Sequence, residues 1–275
     1  MKKNFLLSVI IITHNNYSLK NGCIELVLLS ISKQKFKDYE IIIIDNQSKI
    51  GDYQKLAAFI DRIPRATLYA LQSNNISHAR NFGISLATGE CIVFIDDDTI
   101  LIEDDTFELV AEGSSQRPYG YGAERLWSLP HWLDYTAIQL AVRSKELPSI
   151  PVQIPNPQIR NKTNLRCLNK TFLGNFGFVS KTAILEAGGW DETFVGYGCE
   201  DDDLACRLYI LLGVPLRLDS ISVLHIWHEI KETNLEELKE NKLILKRKYQ
   251  QMHIKEFHIG RLLYEENTEI IEYLS

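Results

Sequence analysis

No apolar run in this chain of 275 residues approaches the roughly 20 needed to cross a bilayer. Nor does a small-residue cleavage site follow Met1-Lys2-Lys3-Asn4 and the apolar stretch after it, so Ser8 to Ile12 reads as a first strand rather than a signal peptide. A long basic run is missing as well. Thirty basic side chains stand against 36 acidic ones, for a formal net charge of −6, and general nucleic-acid binding, which relies on phosphate neutralisation, is a poor fit. Paired cysteine motifs are also lacking. The five cysteines (Cys23, Cys91, Cys167, Cys199, Cys206) are odd in number, scattered and without a CxxC pair. That spacing argues against a disulfide framework and for buried thiols in a reducing, cytoplasmic compartment. There is no internal repeat or low-complexity segment, and 45% hydrophobic with 24% charged residues is ordinary globular usage.

What is present begins with continuous β-branched runs. Leu6 to Ile12, Ile41 to Ile44 and Cys91 to Ile95 lack alternation and suit strands buried on both faces of a parallel sheet. Helical patterns near 22–33, 53–62 and 77–87 fall between them. In the last, Ala79, Phe82, Gly83 and Leu86 follow the i, i+3, i+4, i+7 spacing, and Gly89 stands just beyond. This alternation predicts an α/β, doubly wound sheet. Six of the eight prolines lie between Pro118 and Pro157. Such density disfavours a long helix and suggests an irregular lid, a substrate loop or a structural excursion on the core. Regular pattern returns at Phe172 to Val179, in a helix from about Asp201 to Leu212 and in a strand from about Leu216 to His225. From Glu232 onward the sequence is charged, proline-free and helical, as one or two amphipathic helices packed on the domain or on a partner.

Three polar clusters carry the chemistry. Asp96-Asp97-Asp98 follows a buried strand, where an open sheet binds ligands. In an extended segment Asp96 and Asp98 would point the same way and share a hard cation, Mn²⁺ or Mg²⁺. A solvated turn is the plainer alternative. Gly196-Tyr197-Gly198-Cys199 leads into Glu200-Asp201-Asp202-Asp203 at a predicted helix start. Acids there complement the helix dipole, but four in succession exceed capping needs, and one could act as a general base. His225 and His228, three apart at a strand end, could complete the coordination of an ion held by carboxylates.

In this order, the clusters make the sequence resemble the family 2 glycosyltransferases of the GT-A fold, over most of residues 5–230. Ser8 to Asn15 looks like that family's first strand and nucleotide turn, Glu40 to Ser48 like its second strand, Asn75 to Ile84 like its A-R-N helix start, and Asp96-Asp97-Asp98 like its metal motif. Asn175-Phe176-Gly177 through His228 is similar to the carboxyl-terminal region of β-1,4-galactosyltransferases and chondroitin synthases. The chain departs from the pattern at His14, Asn46, Cys199 and His225.

The resemblance implies a metal-dependent, inverting transfer of a hexose or N-acetylhexosamine from a UDP-sugar to an acceptor hydroxyl. It implies that Asp45 meets the uracil base, with Thr13 and Asn15 lining the nucleotide. Arg80 would face the nucleotide or diphosphate, Asp96 and Asp97 would lie at the donor, and Asp98 would ligate Mn²⁺ (or Mg²⁺) with His228 and His225. Asp201 would be the base, and Glu200, Asp202, Asn175 and Gly198 would border donor sugar or acceptor.

The corresponding organisation is a GT-A domain over 1–230, with a nucleotide half at 1–113 and an acceptor half at 114–230, then a helical extension at 231–275. A saccharide is the first expected acceptor, with a peptide or small metabolite next. No nucleic-acid partner is expected; peripheral contact with the inner membrane surface through the tail helices is the remaining partner expectation. For single residues plainer roles stand beside these: Arg80 on a helix surface, Asp45 as a turn former, Trp190 as a loop anchor and Trp227 in the core. Nucleotidyl transfer is the competing enzyme class, disfavoured because Thr13-His14-Asn15-Asn16 lacks a glycine-rich phosphate loop. A nucleotide-sugar binder without transfer activity is the non-enzyme alternative.

Overall fold

The computed structural model describes residues 6–129, 134–153, 175–228 and 232–250. The β-branched runs become parallel strands: β1 (Leu7–Thr13), β2 (Tyr39–Asn46), β3 (Ala66–Leu71) and β4 (Cys91–Ile95), adjacent in the order β3-β2-β1-β4. Their two-residue periodicity sorts side chains between two layers. Leu7, Val9 and Ile11 join Ile41, Ile43, Val93 and Ile95 on one face, packed by helices Ile24–Ser32, Ile50–Ile60, Thr106–Gln116 and Tyr135–Ser144. Ile10, Ile42, Ile44, Ile92 and Phe94 meet the helices Ile76–Leu86, Lys181–Glu186 and Glu200–Leu212 on the other. A one-residue slip of β1 would exchange these faces, so two buried layers fix its register.

Beyond β4 the sheet changes direction. β4 pairs antiparallel with β8 (Phe176–Ser180), and β8 antiparallel with β6 (Tyr119–Ser128). β6 runs parallel to β9 (Leu216–His225), whose far edge pairs antiparallel with β5 (Thr99–Leu101). β7 (Val152–Gln153) adds a short pairing to β6. Among the described residues this is one nine-stranded sheet with helices on both sides. The wholly parallel arrangement read from the first hundred residues holds for β1 to β4, and among the later pairings only β6 with β9 is parallel.

One strand gave no sequence signal, and two expectations are revised. β3 gave no continuous apolar run, because it is an edge strand with no fully buried residue. The proline-bearing middle is more regular than expected: β6 crosses it, and the helix Tyr135–Ser144 fits between Pro130 and Pro148 with Asp134 accepting from the Ala137 amide at 2.8 Å. Proline excludes helix only where it sits in the interior. Trp227 is half-buried rather than core. The start of the expected run at Phe172 lies outside the described residues, as does Cys167, whereas Cys23, Cys91, Cys199 and Cys206 are buried thiols outside any disulfide.

From Glu232 a single helix runs to Gln250 and packs on the domain. Leu245 and Tyr249 are buried with Phe194, Cys199 and Cys206. Lys248 reaches both Asp203 (2.6 Å) and Asp191 (2.7 Å). Residues 251–275 lie outside the described residues. No described helix is long and apolar enough to cross a membrane.

Candidate active site

The carboxyl ends of β1, β2 and β4 converge beside the end of β9. Parallel register sets Thr13 opposite Asp45. Antiparallel register sets Thr99 opposite His225, and the Ile226 amide donates to the Asp98 carbonyl at 2.8 Å. The acidic triplet therefore lies against the histidine-bearing strand end.

Asp96, Asp97 and Asp98 form a tight turn, closed by the Thr99 amide donating to the Asp96 carbonyl at 3.1 Å, rather than the extended segment expected. The turn aims the three carboxylates differently. Asp98, 2% exposed, has Oδ1 3.1 Å from His225 Nε2 and Oδ2 3.2 Å from His228 Nε2. Ligand atoms of Asp98, His225 and His228 all lie within 4.8 Å of one another. Asp98 Oδ1 is buried without accepting a hydrogen bond. A carboxylate and two imidazoles suit a divalent cation, and the buried oxygen fits the same role. Burial alone would raise the Asp98 carboxyl, but the neighbouring Lys20 and His225, with hydrogen bonds from His228 and Lys20, outweigh it and hold the group well below the usual range.

Lys20 was not singled out from the sequence. It ends the short helix Asn16–Leu19, and its ammonium lies 2.6 Å from both Asp97 Oδ1 and Asp98 Oδ2. Burial opposes its charge, yet the two aspartates raise it well above the ordinary lysine value. Asp97 is otherwise committed inward. Thr13 donates to its Oδ2 at 2.7 Å and Asn16 at 2.8 Å. Thr13 and Asp97, both expected at the donor, thus direct their polar atoms at each other. A lone lysine after a turn carries no spacing signal.

Asp96 faces the other way. Its carboxylate is 3.8 Å from Arg80, whose guanidinium also reaches Glu200 (3.1 Å) and Asp201 (3.3 Å). Arg80 is 3% exposed, not a helix-surface residue, and its Cζ sits 4.0 Å from the Trp190 ring centroid. Trp190 is itself buried and anchored by two backbone contacts with Asn81, at 2.8 and 2.9 Å. Burial works against the Arg80 charge; Asp201, Glu200 and Asp96 prevail and raise its pKa. The helix carrying Arg80 starts where the Asn75 side chain accepts from the His78 amide at 3.0 Å.

On the far side of Arg80, the helix Glu200–Leu212 begins after Cys199, in the left-handed region with φ 74°. Gly198 (φ 87°) precedes it; a Cβ there would also meet Leu238 of the final helix at 2.6 Å. Asp203 is fully buried and paired with Arg207 and Lys248. Loss of hydration and the charges of Asp201, Glu200 and Asp203, partly offset by Lys242, push the Asp202 carboxyl up to about 8. Asn175 is buried, its carbonyl accepting from the Asp96 amide at 3.3 Å.

At the other edge, Asp45 Oδ2 accepts from the Ser48 amide at 3.1 Å, a turn-forming contact, while buried Oδ1 accepts no hydrogen bond. Asn15 links the loops after β1 and β2. Its amide donates to Ser48 Oγ and its Oδ1 accepts from the Lys49 amide, both at 2.7 Å.

The chain is similar to known proteins in sequence and in fold. The chain is 23% identical over 270 residues to the uncharacterized glycosyltransferase YfnE of Bacillus subtilis, covering 85% of this chain and 69% of that one. A shorter stretch of 99 residues is 31% identical to the glycosyltransferase GlyG of Streptococcus pneumoniae, 36% of this chain and 32% of that protein. The structure of S. aureus TarS 1-349 in complex with UDP-GlcNAc superposes with a TM-score of 0.65 at 16% identity, over 94% of this chain and 70% of that one. The mannosyltransferase PcManGT from Pyrobaculum calidifontis, in complex with GDP-Man and Mn²⁺, gives 0.59 at 16% identity, over 99% and 70%. These neighbours share the mixed α/β architecture of the GT-A fold. The profile of Glycosyl transferase family 2 matches residues 8–184, from β1 through the Asp96–Asp98 turn and β8, and the chain belongs to that family.

Proposed function

We propose that this glycosyltransferase is an inverting, divalent-metal-dependent enzyme that moves a hexose or N-acetylhexosamine from a UDP-sugar to an acceptor hydroxyl, first of all that of a saccharide. One observation carries the reading: Arg80 bridges Asp96 of the metal-motif turn and Glu200 with Asp201 of the late helix. Two acidic clusters distant in sequence thereby flank one position.

On this reading Asp98, His225 and His228 would hold Mn²⁺ or Mg²⁺, which supplies Lewis-acid neutralisation of the departing diphosphate when bound. Asp201 accepts the acceptor hydroxyl's proton as the new carbon–oxygen bond forms and the bond to the diphosphate oxygen breaks. Such a positioned base contributes about 10²–10⁴-fold. Attack opposite the leaving group inverts the anomeric centre. Asp45 Oδ1 is suited to accept from a uracil N–H, while Thr13, Asn15 and Asp97 shape the nucleotide floor behind it. Glu200, Asp202, Asn175 and Gly198 border the sugar and acceptor.

The proposed division of labour assigns residues 1–113 to the nucleotide, 114–230 to the acceptor and 231–275 to an extension. The position of Asp201 at the start of the helix Glu200–Leu212, beside Arg80, supports it as base. Buried thiols fit a cytoplasmic site of action.

Incubation with radiolabelled UDP- and GDP-sugars, with and without Mn²⁺, tests this. Slow metal-dependent release of UDP from a UDP-sugar is expected. Preference for a GDP-sugar would overturn the donor assignment, pyrophosphate release the reaction class, and metal-independent turnover the role of the ion.

A further inference from the structure

The metal triad does not stand alone. The Lys20 ammonium lies 2.6 Å from Asp98 Oδ2, the oxygen that also faces His228 Nε2, and 2.6 Å from Asp97 Oδ1. Its side chain is only 20% exposed and those of the two aspartates 6% and 3%. A lysine held this closely is a fixed charge, not a solvated neighbour of the site. Two carboxylates and one ammonium leave a single net negative charge, while the imidazoles add none when neutral. A divalent ion at Asp98, His225 and His228 would turn that local charge positive.

We propose that Lys20 is a resident counter-cation that keeps the protein's own affinity for a divalent ion low. The ion then binds tightly only together with a diphosphate, whose negative charge offsets both cations. This rests on the metal-dependent reading above. It assigns Lys20 a positioning role: the side chain holds Asp98 in place before the ion arrives and couples ion binding to nucleotide binding.

The test is Mn²⁺ titration of the full chain by calorimetry, with and without UDP, in wild type, Lys20→Gln, Lys20→Arg and Asp98→Ala. Glutamine keeps an N–H donor but removes the charge, whereas arginine keeps the charge. Wild type should bind Mn²⁺ weakly alone and at least tenfold more tightly with UDP. Lys20→Gln should tighten binding of Mn²⁺ alone by about tenfold, the effect expected when one nearby like charge is removed in a partly hydrated site, and should shrink the gain from UDP. Lys20→Arg should behave as wild type, and Asp98→Ala should bind no Mn²⁺ under either condition. If Lys20→Gln binds Mn²⁺ no more tightly while Asp98→Ala abolishes binding, Lys20 is a structural strut and the inference falls alone. If wild type binds no Mn²⁺ even with UDP, both it and the metal reading fall. Thermal melts of each variant establish that the titrated protein is folded.

Discussion

Arg80 and Asp201 are 121 positions apart in sequence and meet at 3.3 Å. The contact is buried on the arginine side, and the same guanidinium holds Glu200 and approaches Asp96. A single planar cation thus ties the helix after β3 to the helix after the glycine-rich turn. Its fork geometry matters: five donors in one plane can serve several carboxylates, which an ammonium cannot do equally well.

Replacing Arg80 with methionine should be severe. It leaves Asp96, Glu200 and Asp201 clustered without their common cation, and breaking a buried pair from one side costs about 3–5 kcal/mol. Thermal denaturation should show a fall on the order of 10 °C, with Arg80→Lys intermediate. A melting point within a degree or two of wild type would mean the acids find compensation elsewhere.

Asp202 supplies a pH prediction. Its carboxyl is raised to about 8 in the folded chain, by loss of hydration first and by Asp201, Glu200 and Asp203 next, against Lys242. The folded state therefore holds a proton that the unfolded state releases near the ordinary carboxylate value of about 4. Its contribution is favourable below that value and is lost as pH rises through about 8. Asp202→Asn, which mimics the neutral form, should stabilise by on the order of 1 kcal/mol at pH 8 and have little effect at pH 4. Denaturant titrations at the two pH values check this, and an equal effect at both would contradict it.

The final helix gives a third prediction. Lys248 pairs with fully buried Asp203 and with Asp191, Tyr249 donates to Asp203 at 2.9 Å, and Asn241 donates to the carbonyls of Val195, Tyr197 and Gly198 at 3.0–3.2 Å. These contacts hold both the glycine-rich turn and the helix bearing Glu200 and Asp201. Lys248→Met should cost about 1–3 kcal/mol, because Asp203 keeps Arg207 but loses a charged partner. Turnover should fall further than UDP affinity does. Equal losses in a steady-state and binding comparison would place the effect on the whole fold instead.

What the sequence could reveal depended on how local each signal was. β1, β2 and β4 were legible because strands buried on both faces need uninterrupted apolar residues, and Ile76–Leu86 because its periodicity is strong. That helix opens at the Asn75 cap and ends at Leu86, and Gly89 just beyond it lies against the Ser8 backbone, where a Cβ would come within 2.7 Å. β3 and the helix Tyr135–Ser144 were hidden, one by its half-exposed edge position and the other by flanking prolines. The late clusters could be recognised by their order along the chain. No spacing rule, however, predicts that Asp96 turns to Arg80 while Asp98 turns to the histidines, since a tight turn decides it. Lys20 was invisible for the same reason.

The most direct test of the account is Asp201→Asn, measured for UDP binding with Mn²⁺ and for sugar transfer on one preparation. The account predicts nucleotide and metal affinity close to wild type, with turnover reduced by about 10²–10⁴-fold. Unchanged turnover would contradict it, because the proton acceptor would then lie elsewhere.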